Sequence, residues 1–331
     1  MSIQRGLLTL ILAGLLAVCA LWWWAARPLA LPEGAHSVQL QVPAGSSARS
    51  LAHAVVKAGV AAPPWALWAY FRVSGKAAAF KAGSYEIEEG DSLQSLVTKL
   101  AEGRQALVSF TIVEGWNIRQ VRLALARLET VRPDSALLSD QALMQRISKE
   151  ARHPEGRFFP DTYRFAKGSS DIAVLQMAAR AMDRQLAAAW DMRNADSPLQ
   201  NPEQALILAS IIEKETGKPS DRAEIGGVFA NRLRIGMLLQ TDPTVIYGMG
   251  EAYRGNIRKR DLQTDTPYNT YTRAGLPPTP IAMPGKAALL AAVQPAATKA
   301  LYFVARGDGS SQFSATLQAH NRAVNQYIRG Q

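Results

Sequence analysis

The sequence predicts an α+β fold: an N-terminal apolar helix, then a small α+β domain, then a larger one. Three observations support this prediction. A long uncharged segment lies near the N-terminus, strand–turn–helix units recur after it, and an almost wholly apolar helix lies in the second half of the chain. The 331 residues suffice for two domains, and 48% hydrophobic with 19% charged residues is the balance of a globular protein.

The N-terminal segment has the features of a membrane anchor. No charged residue occurs from Gly6 to Ala26, and about 20 uncharged residues are enough for a helix to cross the hydrocarbon core of a bilayer. Three tryptophans at 22–24 stand where an interfacial aromatic belt is expected. The sequence therefore predicts residues 1–6 in the cytoplasm, a transmembrane helix over 7–26 and an extracytoplasmic remainder. A cleaved signal peptide is the alternative.

The charge and the cysteine content limit the classes of partner. The formal net charge of +10 favours acidic partners, such as an anionic polymer or membrane surface. The basic residues are scattered and form no dense run, so nucleic-acid binding is not predicted. Cys19 is the only cysteine, which excludes an internal disulfide.

Three strand–turn–helix units follow a linker over residues 27–35. The first runs from Val38 to Ala58 and the second from Ser84 to Leu100. The third starts at Val108. The second unit contains the pattern Gly-Asp-Ser-x-x-x-Leu, which resembles LysM modules, and these bind N-acetylhexosamine glycans. The resemblance implies a LysM-like domain over residues 36–106; a general α+β packing unit is the alternative.

The larger domain is predicted over residues 107–331. The stretch from Pro133 to Leu199 reads as helical, interrupted by an aromatic, turn-rich insert at Gly156–Gly168. Near the C-terminus, two short apolar stretches flank Gly307-Asp308-Gly309-Ser310, which predicts a β-hairpin. A closing helix is expected over Leu317–Ile328.

The absence of several catalytic motifs limits the kinds of reaction that this domain is predicted to catalyse. The sequence has no His-Glu-x-x-His, and its four histidines are scattered, so a zinc site is not predicted. The common serine-nucleophile motifs and the phosphate-binding loop are also absent. Carboxylate chemistry remains.

One segment fits carboxylate chemistry. The pattern Asn201-Pro202-Glu203-Gln204 predicts a helix start with Asn201 as its cap. The following run 205–212 is apolar on nearly all sides and continues into Glu213 and Glu215, before a stop predicted at Gly217. A carboxyl group held against apolar neighbours has a raised pKa, as a general acid near neutral pH requires. The alternative is a helix end that emerges into water, with both glutamates as surface charges. Because both have apolar neighbours at helical spacing, spacing alone does not choose between them.

Several long motifs resemble the endolytic murein transglycosylases, the MltG or YceG-like family, and the similarity covers essentially the whole chain. The main ones are Leu208–Thr216, Asn231–Met237, Leu239–Gly248, Thr266–Tyr271, Gly275–Pro278, Leu301–Val304 and His320-Asn321; the upstream ones include Glu114-Gly115-Trp116 and Phe159–Tyr163. The resemblance implies that Glu213 is the catalytic residue. It also implies that the substrate-binding cleft is lined by Glu114, Gln240, Asp242, Tyr247, Tyr268, Asn269 and Tyr271.

The activity implied by the resemblance is non-hydrolytic cleavage of the β-1,4 bond between N-acetylmuramic acid (MurNAc) and N-acetylglucosamine (GlcNAc). Glu213 would act as acid and then base, with no metal or cofactor, and would leave a 1,6-anhydro-MurNAc end. The enzyme would terminate the elongation of nascent strands from the inner membrane, and penicillin-binding proteins and other cell-wall synthesis proteins are expected partners. Two alternatives stay open. One is a hydrolase that pairs Glu213 with Asp242 or Glu215, and the other is a non-catalytic glycan-binding scaffold.

Overall fold

The computed structural model describes residues 2–148 and 153–330, with side chains from residue 12 onward. The chain forms two units. Unit 1 comprises residues 1–108 with 164–169, and unit 2 comprises 109–163 with 170–331. Helices and short strands are mixed within them, which confirms the predicted α+β class. The assignment of residues 36–106 and 107–331 to functional domains stays a prediction.

Unit 1 is a two-stranded sheet covered by helices. Its elements are α1 (Ser2–Ala25), β1 (Ser37–Val42), α2 (Ala48–Lys57), α3 (Pro64–Val73), β2 (Gly83–Glu88) and α4 (Leu93–Glu102). The two strands are antiparallel, with Leu40 opposite Tyr85. Both side chains are buried in a core that also contains apolar residues of α2, α3 and α4.

Two serines form a reciprocal pair of hydrogen bonds at the start of α4. The Ser92 side chain accepts the Ser95 N–H, and the Ser95 hydroxyl in turn accepts the Ser92 N–H. Such a capping box satisfies two backbone donors that the first helical turn leaves free. The Asp91 carboxylate accepts hydrogen bonds from the Glu88 N–H and the Lys99 ammonium.

Helix α1 coincides with the predicted membrane anchor. Its C-terminal end packs on unit 1, where Trp22 meets Tyr70 edge to face with ring centroids 5.5 Å apart. Among the described residues, no helix is both long enough and apolar enough to cross a membrane. The anchor over residues 7–26 is therefore not confirmed, and for residues 7–11 the side chains lie outside the description.

Unit 2 contains most of the helices. They are α5 (Ile118–Ala126), α6 (Asp140–Ile147), α7 (Asp171–Asp191), α8 (Pro202–Glu215), α9 (Arg222–Arg234), α10 (Asp242–Met249), α11 (Lys259–Gln263), α12 (Lys286–Val293) and α13 (Leu317–Val324). Two strands, β3 (Leu107–Thr111) and β4 (Thr162–Ala166), pair with each other. The predicted hairpin is confirmed as antiparallel β5 (Tyr302–Ala305) and β6 (Ser311–Ser314).

Helix α8 is the centre of unit 2. Its start is the predicted one: the Asn201 side chain accepts the Gln204 N–H, Pro202 occupies the first turn, and the Gln204 amide oxygen accepts the Gln200 N–H. Residues 205–212 are all buried, because α7, α9, α10 and α12 pack around them. The helix ends at Glu215, two residues before the predicted stop, so both glutamates lie in its last turn.

Close helix packing around α8 depends on a glycine. A Cβ atom at Gly226 on α9 would collide with the Ala291 carbonyl on α12. Only a residue without a side chain allows the two backbones to approach this closely. The glycine thus lets α9 and α12 both pack against α8 and against each other.

Candidate active site

Glu213 lies in the last turn of α8 and is held by two partners from neighbouring segments. Its Oε2 accepts the Gly285 N–H at 2.9 Å, at the position immediately before α12. Its Oε1 accepts from the Arg222 guanidinium at 3.2 Å. Only 5% of the Glu213 side chain is exposed, so this carboxylate joins α8 to the first turns of α9 and α12.

Glu114 lies beside this pair. Its Oε2 is 4.0 Å from Arg222 Nη2, and a side chain at Gly285 would collide with its carboxylate. Burial raises the pKa of Glu213, and the negative charge of Glu114 adds to the rise. The Gly285 N–H and Arg222 oppose this shift, because both stabilise the ionised form. Glu213 is therefore a paired carboxylate among charged neighbours.

Glu215 lies two residues further along and has different surroundings. The Thr241 hydroxyl donates a short hydrogen bond to its Oε1. Burial raises the pKa of Glu215 to about 7, and the nearby Asp242 charge contributes, while Thr241 and Arg232 act in the opposite direction. A carboxyl group with such a pKa is protonated in a large fraction of molecules at neutral pH, as a general acid must be.

Glu215 also lines an open cavity of about 480 Å³. The other lining residues are Arg232, Gln240, Asp242, Tyr271, Tyr302, Phe303, Leu317, His320 and Asn321. This volume falls within the range of small-molecule and substrate pockets. The structure therefore brings Gln240, Asp242 and Tyr271 of the predicted set together around Glu215.

Gln240 has the only left-handed backbone conformation of a non-glycine residue in the described part of the chain, with φ of 48°. Its N–H donates to the Thr270 carbonyl, which helps to hold it there. Residues with side chains occupy this region at a cost of roughly 1–2 kcal/mol, and such strain clusters at functional sites. Two other lining residues are joined by a hydrogen bond, in which the Tyr271 hydroxyl donates to Asp242 at 2.6 Å.

Four predicted cleft residues are not among those that line this cavity: Glu114, Tyr247, Tyr268 and Asn269. The Tyr247 hydroxyl donates to Glu155 at 3.0 Å, and the Tyr247 ring packs edge to face on Tyr268. Asn269 is buried and donates to backbone carbonyls of the preceding loop, including that of Thr264 at 2.7 Å. These contacts support the loops near the cavity.

Glu155 was not predicted from the sequence. It is fully buried, and its carboxylate accepts the Ile118 N–H at the start of α5. Burial raises the pKa of Glu155 to about 7. The sequence carried no signal for this contact, because 37 positions separate the two residues and no periodic pattern links them.

Besides Glu215, six residues of the cavity lining were missed as site residues: Arg232, Tyr302, Phe303, Leu317, His320 and Asn321. All of them except Leu317 stand in motifs by which the sequence resembles the YceG-like family, and that was the available signal. Their role at the cavity depends on the hairpin and α13 folding back to α8. Among the described residues, no group of three His, Cys, Asp or Glu side chains is placed to hold a metal ion.

A carboxyl group with a raised pKa, in an open cavity lined by polar, charged and aromatic side chains, is the arrangement expected of an acid–base enzyme that acts on a polar substrate. The chain belongs to the YceG-like family, whose profile matches residues 40–326. The family predicted from the sequence is thus confirmed.

Similar proteins have been named for their activity. The chain is 32% identical over 311 residues to the endolytic murein transglycosylase of Bacillus subtilis (strain 168), covering 88% of this chain and 85% of that protein. It is 26% identical to the enzyme of the same name from Streptococcus pneumoniae serotype 2 (strain D39), covering 90% of this chain and 60% of that protein.

A solved structure also resembles this chain. It is the 2.6 Å crystal structure of a YceG-like protein from Listeria monocytogenes, with a TM-score of 0.55 and 29% identity. The match covers 87% of this chain and 98% of the other.

Proposed function

We propose that the protein is a lytic transglycosylase that cleaves peptidoglycan glycan strands, with Glu215 as its general acid. The observation that carries this proposal is the position of Glu215, a carboxyl group with a pKa near 7, in the wall of an open cavity. The family membership and the names of the relatives supply the substrate class.

Glu213 was the residue chosen from the sequence, and its role stays a prediction. Its carboxylate is engaged by Arg222 and by the Gly285 N–H, both of which favour the ionised form. Protonation of Glu213 would sacrifice this ion pair, although burial and the Glu114 charge still raise its pKa above the ordinary value. Glu213 is also absent from the lining of the Glu215 cavity. The geometry therefore supports Glu215 better.

The reaction needs one acid–base group. Glu215 donates its proton to the glycosidic oxygen, and the bond from that oxygen to C1 of MurNAc breaks. The MurNAc C6 oxygen then bonds to C1, and its proton passes to the Glu215 carboxylate. The products are a GlcNAc end and a 1,6-anhydro-MurNAc end, with no water consumed. Because the nucleophile belongs to the substrate, the pair of carboxylates used by most glycosidases is not required.

A hydrolase remains the second candidate because Asp242 lines the same cavity as Glu215. An inverting hydrolase would need the second carboxyl group roughly 6.5–9.5 Å from the acid, with a water molecule between them. Asp242 instead accepts the Tyr271 hydroxyl at 2.6 Å. This hydrogen bond occupies Oδ1 and leaves Oδ2 of Asp242 as the oxygen that would have to act as the base.

Product analysis tests the activity. The purified protein is incubated with peptidoglycan, and the released ends are identified by mass spectrometry. An anhydro-MurNAc end supports the lytic reaction, a reducing end supports the hydrolase, and the absence of cleavage supports the glycan-binding scaffold. Cuts within strands, rather than release of small units from their ends, would support endolytic cleavage and a role in terminating elongation.

We also propose that α1 anchors the protein in the inner membrane, with both units in the periplasm. This rests on the uncharged segment Gly6–Ala26 and on the cell-wall substrate of the named relatives. Extraction of the protein from membranes by carbonate alone, or recovery of a mature form without its N-terminus, would contradict it. In this location the protein could meet penicillin-binding proteins and other synthesis enzymes, as crosslinking in cells would detect.

The LysM-like segment 36–106 is proposed to bind glycan. Within it, a groove of about 690 Å³ is lined by Arg49, His53, Pro64, Trp65 and Trp68. Trp65 and Trp68 are exposed, whereas Tyr70 and Phe71 of the same helix belong to the core. Retention of the full chain on insoluble peptidoglycan, compared with a W65A/W68A variant, tests this groove. Equal retention of both proteins would count against it.

A further inference from the structure

The cavity around Glu215 has two walls that come from distant parts of the chain. One wall contains Glu215, Gln240, Asp242 and Tyr271. The other wall, which we call the C-terminal wall, consists of Tyr302, Phe303, Leu317, His320 and Asn321. It is built from the β5–β6 hairpin and α13, which pack against each other.

The charged groups of the cavity are already engaged by the protein. Arg232 donates from Nε to the Leu301 carbonyl and from Nη1 to the Leu239 carbonyl, both at 2.7 Å. Asp242 accepts the Tyr271 hydroxyl. Glu215 accepts the Thr241 hydroxyl. The cavity therefore has few charged groups left for a charged ligand.

The neutral polar groups of the C-terminal wall are free. Among the residues that the structure describes, the side chains of Tyr302, Asn321 and Gln240 form no hydrogen bond with another residue. His320 Nδ1 is buried without a partner and is therefore not itself exposed to the cavity, although the His320 ring is part of the lining. Polar groups that line a cavity without partners favour a ligand that supplies them.

The aromatic part of the wall contains a stacked pair of rings. The rings of Tyr302 and His320 are stacked, with centroids 5.3 Å apart and an interplanar angle of 25°. The Arg232 guanidinium lies 5.4 Å from the Tyr302 ring centroid. Burial and the nearby Arg232 charge lower the pKa of His320, so its imidazole is neutral at neutral pH. The wall thus combines an aromatic surface with neutral hydrogen-bonding groups.

From this combination we infer that the C-terminal wall is a saccharide-binding subsite, in which Tyr302, His320 and Asn321 contact the sugar and not the peptide stem of the substrate. The inference rests on the proposed glycan-cleaving function. Hydroxyl and acetamido groups are neutral donors and acceptors and match the free groups of the wall. The carboxylates of a peptide stem would instead meet Glu215 and Asp242, which repel them when ionised.

Kinetics on two substrates test this inference. The variants are H320Q, Y302F and N321A, and the matched control is Q318A, which changes an exposed side chain of α13 outside the cavity lining. Intact peptidoglycan strands and strands freed of peptide stems by an amidase are compared. Each lost neutral hydrogen bond should raise KM by roughly 3–10-fold, with a smaller change in kcat. The increase should be the same on both substrates, and Q318A should behave as wild type.

Two results would overturn the inference. An increase in KM that disappears on stem-free strands would place the contacts on the peptide. A lower Tm with unchanged KM would show that the wall residues only support the fold. Binding of uncleaved strands in an E215Q background gives a second readout. If E215Q proves fully active, the proposed acid is wrong, yet the KM comparison still decides the role of the wall.

Discussion

Glu213 and Glu215 leave the last turn of α8 in different directions and reach different surroundings. Glu213 Oε2 accepts the Gly285 N–H at 2.9 Å, whereas the Glu215 carboxyl group receives the Thr241 hydroxyl and lines the cavity. Two residues correspond to about 200° around a helix, so both side chains cannot reach the same glycosidic bond. One turn of helix thus carries a paired carboxylate and a candidate acid.

Replacing each glutamate by glutamine separates these roles. Gln has nearly the shape of Glu but cannot donate a carboxylic proton, so E215Q should lose activity by about 10²–10⁴-fold while remaining folded. E213Q should keep most of its activity and lose some stability, because its amide oxygen can still accept from Gly285 but the Arg222 ion pair is lost. The measurement is the yield of anhydro-muropeptides at matched folded concentration. Loss of activity in E213Q alone would identify Glu213 as the acid after all.

The pH profile of activity should follow the pKa of Glu215. An acid with a pKa near 7 must be protonated to act, so the rate should fall as the pH rises through about 7. The Thr241 hydroxyl lowers this pKa by bonding to the ionised form, so T241V should move the alkaline limb to higher pH. Asp242 raises it by repulsion, and D242N should therefore move the limb to lower pH. Shifts of both variants in the same direction would contradict this assignment.

Gln240 should show a trade-off between stability and activity. Glycine adopts φ of 48° without steric cost, so Q240G should unfold with a free energy about 0.5–1 kcal/mol higher than wild type. The same change removes a free amide from the cavity and should raise KM. Chemical denaturation and steady-state kinetics measure the two effects. Q240N is the control, because Asn tolerates the left-handed region; a Q240G variant with unchanged kinetics would show that the amide does not touch the substrate.

Glu155 should make the stability of unit 2 depend on pH. Its folded-state pKa is raised from 4.5 to about 7, so its contribution is fully present below pH 4.5 and is lost as the pH rises through 7. The loss is at most on the order of 3 kcal/mol. Urea unfolding at pH 5 and pH 8 should therefore show a smaller pH effect in E155Q than in wild type. Equal pH effects in both proteins would mean that Glu155 titrates normally.

The local elements of the fold could be predicted because their signals are local. The Asn201 cap with Pro202 identified the start of α8, and the turn 307–310 identified the C-terminal hairpin. Each signal depends on residues within a few positions of one another. The YceG-like family could be predicted as well, because long motifs cover most of the chain.

The composition of the cavity could be predicted only in part. Gln240, Asp242 and Tyr271 were predicted because they stand in motifs that resemble the YceG-like family. All three line the cavity with Glu215. The choice between Glu213 and Glu215 depends on Gly285, Arg222 and Thr241, which come from other elements. Helical spacing gives both glutamates apolar neighbours and carries no information about these distant partners.

The two walls of the cavity come from separate stretches of the chain, so the cavity is complete only when both stretches are present. Glu215 and His320 are about a hundred residues apart, and the second wall is made by residues between Tyr302 and Asn321. A copy that ends before residue 300 contains every carboxylate of the cavity but lacks the surface that would hold a strand against them. Loss of the residues after position 300 should therefore abolish cleavage even though the proposed acid is retained.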